Sequence, residues 1–229
     1  MSVEQTLKKS NSSPFIANTW PEFLDCIRKA RSKLGNPETV WYRGMSRAEF
    51  TLVPSLLRVP NGLRKEQDLF NEYQRSAARL TAKRSNDWEL LFDMQHYGIP
   101  TRLLDWTDVL GVAIAFALYD TNDDKHDSSI HVLDPLKLNS KSGPGEIRRP
   151  TNDPDFNYKS IYWHGRPFNA VYPIAIDGPF QNDRMVAQQR LANSFLRHRW
   201  TGLLAEDSHE AWCENRSARV FGVFKFECV

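Results

Sequence analysis

The chain of 229 residues carries 30 basic against 28 acidic side chains, a net charge of +2, and is 41% hydrophobic. That hydrophobic share supports a real core in one large domain, and the near-neutral balance excludes a field strong enough by itself to draw duplex DNA or an anionic membrane. Cys26, Cys213 and Cys228 are odd in number and lack paired metal-ligand spacing, Met1 to Thr6 carry no apolar signal, and the longest apolar run, 109–119, is about half a membrane crossing. The expectation is a reducing, cytoplasmic setting and no membrane partner.

In chain order, residues 1–14 are polar and read as a flexible arm, and 15–229 as a single domain. Thr19 with Glu22 resembles a capping box, and Trp20, Phe23, Leu24 and Ile27 repeat at helical spacing, predicting a helix to about Ser32. After Gly35-Asn36-Pro37, the run Thr39-Val40-Trp41-Tyr42 predicts a strand that delivers Arg43 and Gly44 at its end. Residues 66–82 predict an amphipathic helix with Leu69, Phe70, Tyr73, Ala77 and Leu80 inward. A third helix starts near Asn86, with Glu89 in capping-box position, and buries Trp88, Leu91 and Phe92. His96, one turn beyond Phe92, should emerge from its packed side.

The apolar run 109–119 predicts a buried helix capped by Asp105 or Thr107. Strands follow at 129–133, 170–176 and 218–227, and the Gly/Pro-rich stretch 134–163 reads as a long loop or lid. Between Asn182 and His198 a helix is expected, with Gln188 and Gln189 on the same face as Met185, Ala192, Phe195 and Leu196. An amide on an apolar face needs a partner, in core backbone or in a ligand. Helices in the first half and strands in the second predict an α+β fold, helices packed on a mostly antiparallel sheet.

The chemistry concentrates between Gln95 and Thr107. Gly98 and Pro100 punctuate this stretch, which fixes His96, Thr101, Arg102 and Asp105 on a turn between two packed elements. Arg43 and Arg102 have the guanidinium fork suited to phosphate oxygens, and the start of the following helix adds a partial positive charge. Plainer readings stand beside this one. Arg102 and Asp105 suit a bracing ion pair, Asp105 a helix cap, His96 a core histidine, and Trp41, Trp88 and Trp106 the core.

Trp41-Tyr42-Arg43-Gly44, the segment from Gln95 to Thr107, and Ala113, Ala115, Phe116 and Ala117 together resemble the FRG domain family, whose signature is an aromatic residue followed by Arg-Gly. Arg184, Gln188 and Phe195 are similar to a third family element, although Arg190 stands where a glycine is expected. The resemblance spans roughly residues 20 to 200. A strand ending in Arg-Gly is also similar to the first motif of ADP-ribosyltransferases, where the arginine binds the dinucleotide. That resemblance implies an ADP-ribosyltransferase-like core with Arg43, Gly44, Thr101 and Arg102 binding NAD as substrate. Thr101 to Thr107 would stand for the second motif, and Gln188, Gln189 or Glu227 for the third-motif glutamate.

The implied function is an NAD-using ADP-ribosyltransferase or NAD glycohydrolase, as in an intracellular toxin or antiphage effector. His96, Asp105, Gln188 and Gln189 are its catalytic candidates, and a protein or nucleic acid is the acceptor of ADP-ribose. The alternatives are a non-catalytic module binding a nucleotide or nucleic acid, and a metal-dependent nuclease using Asp120, Asp123, Asp124 and Asp127. Those aspartates are more simply solvated, so no metal is expected.

Overall fold

A computed structural model gives the structure of residues 15–77, 86–119, 126–141, 145–150, 155–165, 173–178, 193–196 and 223–224. Local signals set the first helix, α1 (Trp20–Leu34): the Thr19 hydroxyl accepts from the Glu22 amide, and Gly35, at φ 92°, ends it in the left-handed region. The strand that follows, β1 (Trp41–Met45), starts later than expected, and Arg43 and Gly44 lie inside it. Its apolar neighbours suggested the strand, but its length is set by pairing with β3 (Ser128–Leu133), where Arg43 faces His131 and Gly44 faces Ile130.

Between these strands run α2 (Ser55–Arg58), α3 (Gly62–Ala77), α4 (Asp87–His96), the two-residue β2 (Asp105–Trp106) and α5 (Leu110–Leu118). α3 begins a turn earlier than expected, at Gly62. The expected α4 cap is present, Asn86 Oδ1 accepting from the Glu89 amide at 3.0 Å. α5 is capped by neither expected residue, because Asp105 is in β2 and Thr107 bridges to β1, so the chain stays extended and the helix starts only after Val109. Nor is α5 buried all round: Ala113 and Ala117 are sealed, while Phe116 is 50% and Tyr119 87% exposed.

The second half adds α6 (Pro135–Asn139), α7 (Tyr158–Tyr162), β4 (Ile174–Asp177), β5 (Asn193–Leu196) and β6 (Val223–Phe224). The stretch expected as a loop or lid thus contains two short helices, and Leu138, Asn139, Phe156, Tyr158 and Ile161 in it are buried. Residues 193–196, expected as the end of a helix, form a strand instead, because β5 lies between β2 and β4 and pairs with both. Cross-strand pairing outweighs four residues of helical periodicity.

The result is an α+β fold whose described strands form two antiparallel three-stranded sheets, ordered β1-β3-β6 and β2-β5-β4. They meet at one bridge, where Tyr42 and Thr107 exchange both backbone hydrogen bonds, at 2.6 and 2.9 Å. Side chains alternate across β1 and β3. Tyr42, Ile130 and Val132 pack under α1 and α5, whereas Trp41 and Leu133 on the opposite face join Leu104, Trp106, Leu138 and Ala175. A third cluster gathers α3, α4, α7 and β4 around Phe70, Trp88 and Tyr158. Trp41, Trp88 and Trp106 are core residues, each 2% exposed or less.

Candidate functional site

Arg43 projects from the same face of β1 as Trp41, toward the place where the two sheets part. After the Tyr42–Thr107 bridge, the next hydrogen-bonded pair of an antiparallel ladder would join Gly44 to Asp105. That pair does not form, and the Asp105 carbonyl instead accepts from Arg43 Nη1 at 2.5 Å. A guanidinium thus stands at the split where a backbone amide would have continued the sheet. Burial pulls Arg43 below the ordinary arginine range, the charge of Asp105 opposes this, and that of Arg58 adds to it.

Opposite Arg43 on β3 stands His131, a residue that sequence reasoning missed. Its Nε2 lies 3.2 Å from Ser129 Oγ, while its Nδ1 and Arg43 Nε are both sealed from solvent without a hydrogen-bond partner among the described residues. Leaving such a group unpaired costs about 1–3 kcal/mol. Burial, and after it the charge of Arg43, pull the imidazole down to about 3, so it is neutral at pH 7. The only sequence signal was the alternation in β3, which puts Ser129, His131 and Leu133 on the face opposite Ile130 and Val132.

The turn after α4 converges on the same place. Gln95 links two of the predicted residues, donating to Asp105 Oδ2 at 3.0 Å and accepting from the Thr101 hydroxyl. Thr101 is 1% exposed; its amide donates to Ser55 Oγ at 3.1 Å, and its carbonyl accepts from the Leu56 amide at 3.1 Å. α2 is thereby tied to the turn. Arg43, Thr101 and Asp105 therefore form one hydrogen-bonded chain, with Asp105 exposed at its end and Thr101 acting as a brace from within.

Arg102 takes no part. Its guanidinium is 2% exposed and clamps Glu66 through Nε at 2.6 Å and through Nη2. The same carboxylate accepts from Tyr158 OH at 2.5 Å and Trp163 Nε1 at 3.2 Å. The expected phosphate fork, and the alternative pair with Asp105, both give way to a buried brace joining α3, the turn and α7. Gly44 is likewise a packing residue. A Cβ there would stand 1.8 Å from the Ala113 carbonyl oxygen and 2.7 Å from the Ala117 nitrogen, so α5 rests on its bare backbone.

His96 is exposed at the end of α4, its ring edge-on to Tyr97, rather than emerging from the packed side. The helix stops there and Gly98, at φ 75°, turns the chain, so no layer covers it. Gln188, Gln189 and Glu227, with Asp120, Asp123 and Asp124, lie outside the described residues. Among the described residues no three His, Cys, Asp or Glu side chains gather to hold a metal, and no helix is long and apolar enough to cross a membrane.

A cleft of about 330 Å³ opens elsewhere, at the start of β1, lined by Arg31, Glu38, Asp108, Arg149 and Asp177 among others. Its arginines are already engaged: Arg149 pairs with Asp177 at 3.1 Å, and Arg31 reaches the Pro37 carbonyl at 3.5 Å. The split at Arg43, where the sealed Arg43 Nε and His131 Nδ1 lack hydrogen-bond partners among the described residues, is the better candidate for a ligand site.

Residues 38–126 match the model of the FRG domain family, a segment that runs from just before β1 to just before β3 and includes Arg43 and the whole turn from Gln95 to Thr107. No curated protein and no solved structure matches the chain.

Proposed function

We propose that this chain, which carries an FRG domain over residues 38–126, uses NAD, either transferring ADP-ribose to a protein or nucleic acid or hydrolysing the dinucleotide. The observation that carries the reading is Arg43 at the parting of the sheets, bonded to a carbonyl and, among the described residues, to no carboxylate side chain. A guanidinium so placed suits a phosphate oxygen. The split between β1 and β2 corresponds in this reading to the cleft in which an ADP-ribosyltransferase-like core holds its dinucleotide.

In the reaction, the bond between ribose C1′ and the nicotinamide nitrogen breaks, and nicotinamide leaves with the bonding pair. Water or an acceptor hydroxyl, amine or base nitrogen then bonds to C1′ and releases a proton. Charge at C1′ passes through an oxocarbenium-like state, which a nearby carboxylate stabilises. Asp105, exposed beside Arg43 and oriented by Gln95, is the described carboxylate suited to that task or to a ribose hydroxyl. Thr101 and Gln95 hold it in place. Gln188, Gln189 and Glu227 are the further candidates for the third-motif role.

A binding-only module is the second reading. It is favoured by one observation, that Asp105 is the one described carboxylate whose charge acts on Arg43. Purified protein incubated with NAD separates the two. Nicotinamide release that is lost in Arg43→Ala, with the melting temperature lowered by less than about 5 °C, supports the enzyme. Saturable NAD binding without release selects the module, and neither binding nor release removes both readings.

A further inference from the structure

We infer that His131 and Arg58 complete an anion subsite around Arg43, one that takes a phosphate or pyrophosphate group. The inference rests on the dinucleotide reading above and names the side chains that replace Arg102 in it. Arg43 and His131 are cross-strand partners, and each has one sealed nitrogen, Nε and Nδ1, without a partner among the described residues. Ser129 Oγ lies 3.2 Å from Nε2, and in the inferred site its hydroxyl donates there, which leaves the proton of the neutral ring on Nδ1. Two N–H groups on paired residues of neighbouring strands then lack an acceptor among the described residues, and an anion bound between the strands would supply it. The anion would reach them by rotation of the half-buried Arg43 side chain, exchanging the Asp105 carbonyl for a charged acceptor.

The third element is Arg58, at the end of α2. Its Nη1 donates to the Val53 carbonyl at 3.2 Å, its side chain is exposed, and no carboxylate among the described residues pairs with it. α2 is fixed against the site by Ser55 and Leu56, which bond both backbone groups of Thr101, the brace under Gln95 and Asp105. Arg58 thus lies near enough for its positive charge to act on Arg43. Two guanidinium groups without ion pairs among the described residues, with a neutral imidazole donor, suit a dianion better than a single carboxylate. Neither Arg58 nor His131 was singled out by motif or spacing.

The test titrates inorganic pyrophosphate into the full chain by calorimetry, beside separate assays of NAD binding and nicotinamide release. Arg58→Ala, an exposed substitution that leaves packing intact, should weaken pyrophosphate binding about tenfold, and His131→Gln about fivefold or more. In wild type, the ring resonances of His131 should shift on addition of pyrophosphate. Pyrophosphate affinity unchanged in both variants, with the His131 resonances unmoved, would overturn the inference, even if NAD is turned over. Failure of nicotinamide release, with pyrophosphate binding that still depends on Arg58 and His131, would leave the anion subsite standing and remove the enzymatic reading alone.

Discussion

Removing the Glu66 carboxylate should destabilise the fold more than any substitution at the candidate site. Glu66 and Arg102 are 4% and 2% exposed, and the carboxylate accepts from both sides of the Arg102 fork and from Tyr158 and Trp163. Glu66→Ala strands a buried guanidinium, which costs about 3–5 kcal/mol, and deprives the sealed Tyr158 hydroxyl of its acceptor, which costs about 1–3 kcal/mol more. These losses share one network and do not add in full, so about 5 kcal/mol is expected, comparable with the whole stability of a marginal domain at about 5–15 kcal/mol. Urea unfolding followed by tryptophan fluorescence measures it. Glu66→Leu combined with Arg102→Met should recover part of the loss, because an apolar pair removes the buried charge. A Glu66→Ala variant within about 1 kcal/mol of wild type, or a double variant no better than the single one, would refute the role of this pair as the brace under the turn.

Gly44→Ala should cost at least about 3 kcal/mol or prevent folding, since the new methyl meets the backbone of α5 at 1.8 Å; a thermal melt unchanged from wild type would show that α5 can move aside. His131 gives a pH signature. Its folded pKa is depressed to about 3, so between that value and the ordinary 6.5 the unfolded chain binds the extra proton, and stability is lost as pH falls through this window. The slope from this group is at most about 1.4 kcal/mol per pH unit, and His131→Gln should show a shallower decline between pH 6.5 and 4 in matched urea titrations. Asn86→Ala removes the acceptor for the Glu89 amide and should cost about 1 kcal/mol by the same assay, with no change in denaturant dependence.

The parts of this fold legible in the sequence are those with local causes. Thr19 and Asn86 cap the helices they were expected to cap, because an N-cap is written in a few consecutive residues. The pairing of sheets is non-local, so β1 was placed too early and β5 was read as helix; their bounds come from partners far along the chain. His96, Arg102 and Asp105 were expected to converge with Arg43 because both motifs make sense only in one site, and of the three Asp105 meets it, while Arg102 is held by Glu66 and His96 is exposed at the end of α4. The partner of Arg102 was not anticipated. Its signal lay in spacing, Glu66 standing four residues before Phe70 on the inward face of α3, but a glutamate in an amphipathic helix ordinarily faces water. His131 was hidden for a related reason, since an isolated histidine in a strand gains its meaning only from the residue paired across from it.

That Arg43, at the parting of the two sheets, holds the phosphates of a dinucleotide is tested most directly by phosphorus NMR of NAD titrated with protein. The two pyrophosphate resonances should shift and broaden with wild type and stay at their free positions with a folded Arg43→Ala variant. Equal perturbation by both proteins, or none by either, would contradict the assignment of this site.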